Sequence, residues 1–178
     1  MLLIHETLLN LHVVLGALAL ILFWIPILAR KGGPTRVRYG KIDVWLMCIV
    51  AVSGVVMSVM VLVNPGYFKP NASLTVVYQF YSLLLFLSAL TFVSVHHAML
   101  VLKHKTSVFR RFGFLWMPAI LVGGGIALLI IAAASSSTLI LHYVFGGLGV
   151  FIGARMGHFA FKKNPPRKVW LTEHIGAI

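Results

Sequence analysis

The sequence predicts an all-α polytopic membrane protein, and three observations carry that prediction. The 178 residues are 60% hydrophobic and 10% charged, with a mean hydropathy of +0.99, against about 45–50% apolar and about 25% charged in soluble domains. The apolar residues gather into five stretches, 8–29, 44–63, 74–102, 114–134 and 138–161. Each is close to or above the roughly 20 residues that cross a hydrocarbon core about 30 Å thick. Finally, the basic residues alternate between the gaps, as the loops of a chain crossing back and forth do. Lipid admits only helices or closed barrels, and strands are far shorter than these runs.

Taken in order, the elements read as one transmembrane helical domain over 1–178. The first span, 8–29, lacks the basic leader and small-residue cleavage site of a signal peptide, so it is expected to be retained. Pro26 near its end fits a kink. The segment "RKGGPTRVRYGKID" reads as a turn punctuated by Gly-Gly-Pro, with Asp43 placed to cap the second span at its start. "NPGYFKPNAS" is the next turn, with Ser73 as the cap of the third span. That span exceeds the bilayer, so it must tilt or project its end "HHAMLVLKHK". Pro118 stands near the start of the fourth, and "SSST" opens the fifth. The single Cys48 excludes a disulfide framework.

The net charge of +12 is a topology signal. Arg30, Lys31, Arg36, Arg38 and Lys41 follow the first span, and Lys103, Lys105, Arg110 and Arg111 the third. Arg155, Lys162, Lys163, Arg167 and Lys168 lie at or beyond the end of the fifth, and Lys69 alone among the 15 falls elsewhere. The positive-inside rule then sets the amino terminus outside and these segments in the cytoplasm. Attraction to anionic lipid head groups accounts for the charge, so no nucleic-acid partner is expected. Trp24, Trp45, Trp116 and Trp170 mark one interface, and Tyr67, Tyr78, Tyr81 and Tyr143 the other.

Two stretches near opposite ends share a frame: "LHVVLGALAL" and "LHYVFGGLGV" both read L-H-x-V-x-G-x-L. Downstream, "KVWLTEHIGAI" echoes "KIDVWLMCIV". These echoes suggest a parallel repeat of spans 1–2 and 5–6, with the sixth span cut short. The opening "LHVVLGALALILFWIPILARKGGPTRVRYGKIDVWLM" resembles a bacterial family of multi-pass membrane proteins of unassigned function. The resemblance is strongest over residues 11–47 and rests on the histidine, the glycine four residues later, Lys-Gly-Gly and the basic segment ending in Gly40. It departs at Arg36, where the family pattern has a histidine. It implies a multi-pass protein of the bacterial inner membrane and no activity.

Eight histidines stand against three carboxylates. No hydrolase, nucleotide or metalloprotease motif is present, so chemistry must rest on imidazole. His12 and His142 each lie about one turn into spans that run in the same direction, hence at similar depth. Gly16 and Gly146 follow one turn later, and His142, Gly146, Gly149, Gly153 and Gly157 form one helical stripe. Small residues at that spacing signal close helix packing, and next to a histidine they would also leave room for a flat macrocycle. The resulting expectation is b-type haem with His12 and His142 as axial iron ligands, in an electron-transfer protein with membrane redox partners. A second, inner haem would use His158 with His96 or His97. His5, His104 and His174 are expected at the interfaces. Two other classes stand beside this one: an accessory subunit of a membrane complex, and a small-solute transporter, for which the span middles offer little beyond Ser53, Ser58 and Ser88.

Overall fold

The computed structural model describes residues 1–30, 33–103, 114–135 and 139–161. His104, His174, most of the "SSST" segment and the tail expected to open a sixth span lie outside them. The described residues form six helices and no strand: α1 (Leu2–Leu28), α2 (Pro34–Val63), α3 (Pro65–Phe68), α4 (Leu74–Lys103), α5 (Trp116–Ala134) and α6 (Ile140–Phe161). All but α3 are long and apolar enough to cross a membrane.

Two elements differ from the expectation at their starts. Helix α1 begins at Leu2, six residues before the apolar stretch, and the Thr7 hydroxyl donates back to the Leu3 carbonyl at 2.8 Å within it. Helix α2 begins at Pro34, with Gly33 at the N-cap. Proline suits that first position, since its missing N–H would have no helical partner there. The segment expected as a turn is therefore helical from Pro34 onward. Asp43 does not cap α2; it sits well inside the helix and is buried. Ser73 does stand at the head of α4, where its carbonyl accepts the Val77 N–H at 3.0 Å.

The chain divides into two compact units, Met1–Phe92 and Val93–Ile178, with the boundary inside α4. In the first, α1 and α2 form an antiparallel hairpin. Its register is visible at both ends: a Cβ on Gly40 would lie 4.0 Å from Pro26, and one on Gly16 would lie 3.9 Å from Val50. The buried face of α2 comprises Asp43, Ala51, Gly54, Met57, Ser58 and Val61. In the second unit, α5 and α6 pack closely, burying Leu121, Gly125, Leu128 and Ala132 of α5 with Gly146, Gly149, Gly153 and Met156 of α6.

Candidate functional site

The first unit assembles a polar cluster around His12. Its Nδ1 lies 2.8 Å from the Ser53 hydroxyl oxygen. Ser53 already donates its single proton to the Val50 carbonyl, also at 2.8 Å. A hydroxyl has one O–H, so with that proton on the Val50 carbonyl Ser53 accepts from His12. In that arrangement the imidazole is protonated at Nδ1 and Nε2 carries the lone pair, whereas a Ser53 hydroxyl turned toward Nδ1 would select the other tautomer.

Gly54 makes this cluster possible. A Cβ there would collide with the Ser88 hydroxyl and lie 3.3 Å from His12 Cε1. Any side chain at 54 would push apart α2, the His12 ring of α1 and Ser88 of α4. Gly16, one turn beyond His12, is half-buried and meets only Val50. The sequence offers Ser53 and Ser88 only as isolated polar residues of the span middles, and nothing in it singles out Gly54. The signal that finds them is reflection: in an antiparallel α1–α2 hairpin that sets position 16 opposite 50, position 12 falls opposite 53 and 54.

In the second unit the glycine stripe is accounted for by helix contact. A Cβ on Gly125 would lie 2.6 Å from the Gly146 carbonyl oxygen, and one on Gly146 would lie 2.8 Å from the Gly125 carbonyl oxygen. One on Gly153 would meet Val122 at 2.8 Å and the Pro118 carbonyl at 3.0 Å. The space left by these absent side chains is thus filled by α5. His142 lies on the same face and is 4% exposed. At Gly146 the missing side chain serves backbone-to-backbone packing against α5.

Farther along this unit, His97 is fully enclosed between Phe114 and Phe159, with ring centroids 5.4 and 6.1 Å away. His96, half-buried, stacks at a tilt on Trp116 at 5.7 Å. Phe159 is the α6 ring that faces His97, whereas its neighbour His158 is exposed. His5, in the first unit, rests on Phe68 at 5.2 Å. Among the described residues, no three His, Cys, Asp or Glu side chains converge as a metal-holding group.

No family model, curated protein or solved structure matches this chain.

Proposed function

We propose that the protein is a membrane electron-transfer protein of b-type cytochrome character, with His12 as an axial haem ligand. One observation carries this reading: His12 Nδ1 meets the Ser53 hydroxyl, whose proton has the Val50 carbonyl as its acceptor, an arrangement in which Nδ1–H donates to Ser53 and Nε2 keeps its lone pair. Ligating histidines characteristically donate their other ring N–H in this way, which fixes the tautomer and raises the basicity of the ligating nitrogen. Haem would supply one-electron chemistry; the chain would orient the imidazole and shield it within apolar helices. The reading keeps the inner membrane as location, with the amino terminus outside and the basic segments in the cytoplasm.

A second reading, an accessory subunit of a membrane complex, draws on α1. Only 6% of its apolar window is buried within the chain, and Ala19 is its one buried residue. Lipid or a partner helix must cover the rest.

The deciding experiment is spectroscopic. Protein expressed with ample iron and haem supply should show a Soret band that shifts on dithionite reduction. His12→Ala should remove a low-spin signal, while His5→Ala leaves the spectrum unchanged. His142→Ala, examined separately, asks whether the other histidine of the shared frame also ligates. A colourless protein under these conditions refutes the cytochrome reading and favours the accessory subunit.

A further inference from the structure

Asp43 is one of three acidic residues in the chain, with Glu6 and Glu173. It is 8% exposed, and its Oδ1 is enclosed with no hydrogen-bond partner. The register of the α1–α2 hairpin identifies what faces it. Gly40 is level with Pro26, and Ser53 with His12, so Asp43 is level with Leu22 and Phe23.

At that level α1 presents the apolar side chains of Leu22 and Phe23. From Ala19 to Pro26, α1 carries no charged or titratable side chain. Pro26 has no N–H, so the Leu22 carbonyl lacks the helical bond it would otherwise accept. Along α2, the face that holds Asp43 carries half-buried Tyr39 and, two turns back, half-buried Arg36; Arg38 and Lys41 are exposed, and Cys48 is half-buried. The α4 residues of the same unit, Leu74 to Phe92, include no charged group, only Tyr78 and Tyr81 as titratable ones. A carboxylate can only accept hydrogen bonds, whereas a carboxylic acid brings one donor to a wall with an acceptor to spare. Enclosing an unpaired charge is also far more costly than enclosing the neutral acid.

We infer that Asp43 is a proton-binding site, occupied at neutral pH, on the α1–α2 hairpin. Its ligand is the proton and not a metal ion. Hard cations collect about six or more oxygens, and among the described residues no group of acidic or other metal-holding side chains gathers at Asp43. The inference is independent of the haem reading, because no part of it uses His12 as a ligand.

The test treats the full-length protein in lipid vesicles with a hydrophobic carbodiimide. This reagent takes the acid proton onto its nitrogen while the carboxyl oxygen bonds to its central carbon, leaving a stable mass adduct after rearrangement. The adduct should map to Asp43 at neutral pH, diminish as pH rises, and be lost in Asp43→Asn. An infrared difference spectrum of parent minus Asp43→Asn should contain the carbonyl band of a protonated carboxyl, whether or not the reagent reaches the site. Asp43→Asn, which has the shape of the neutral acid, should unfold at the parent temperature. Absence of that carbonyl band overturns the inference. So does protection from the reagent by sodium, potassium or magnesium, which would mean a metal-cation site, or a clear loss of stability in Asp43→Asn.

Discussion

Replacing Gly146 with alanine adds one methyl group where the structure leaves no room for it. The new Cβ would lie 2.8 Å from the Gly125 carbonyl oxygen and 3.0 Å from Leu129 Cγ, whereas ordinary contact begins at 3.4 Å. The closest obstacle is backbone, so the two helices must separate by about 0.6 Å, the gap between 2.8 and 3.4 Å. Such overpacking costs about 1–3 kcal/mol. Alanine recovers about 0.5–1 kcal/mol of that, because it is the better helix former. Gly147→Ala isolates the two effects, since a Cβ there meets nothing within 4 Å. The control carries the same propensity gain without the strain, so the difference between the two variants is the strain itself, about 1–3 kcal/mol. Equilibrium unfolding of both proteins in one detergent measures that difference. Adding Gly125→Ala to Gly146→Ala should cost less than the two separately, because one separation of the helices relieves both contacts. Equal stability of Gly146→Ala and Gly147→Ala would refute close packing of α5 on α6.

Three further outcomes are expected. If haem is bound, Ser53→Ala should retain it but raise its reduction potential, because loss of the Nδ1–H acceptor makes the imidazole less basic and favours the reduced iron; redox titration reads this, and an unchanged potential would detach Ser53 from the ligand. Gly54→Ala should lower both stability and haem content, since its methyl meets Ser88 and His12 together, and the added Ser88→Gly change should recover part of each; equal melting of Gly54→Ala and the parent would contradict the observed approach of α2 to α4. In a Cys48→Ala background, a cysteine at Arg36 should be shielded from an impermeant thiol reagent in intact cells and one at Asn71 labelled, and the reverse pattern would invert the proposed topology.

The helices were legible because their cause is local: lipid demands long apolar runs, and those runs can be read without knowing any neighbour. Helix starts were less so. The segment Arg36 to Asp43 looks like a loop by charge, yet nothing in it breaks a helix once Pro34 has opened one at N1. Polar composition reports where a segment meets water or head groups, not whether its backbone is helical. Asp43 was misread for this reason, as a cap at the edge of the apolar run when the helix had begun well before it.

The histidines show how far spacing can be taken before geometry is needed. The frame shared by His12 and His142 invites a common explanation, yet the glycine one turn beyond each serves a different end. At Gly146 the missing side chain admits the α5 backbone, while at Gly16 the nearest atom to a Cβ is a Val50 methyl at 3.9 Å. What sets His12 apart is Ser53, on another helix, whose own proton is committed to Val50. With that proton on Val50 the hydrogen bond runs from Nδ1–H to Ser53, and the tautomer decides which ring nitrogen is available for chemistry. Substituting Ser53 by cysteine keeps a side chain of similar size but weakens it as an acceptor, so the Nδ1 proton should be held less firmly. Nitrogen chemical shifts of a selectively labelled His12 read the tautomer directly. The Nδ1-protonated form should dominate in the parent and give way to a mixture in Ser53→Cys. A parent that already shows the Nε2-protonated form would remove the observation on which the haem proposal rests.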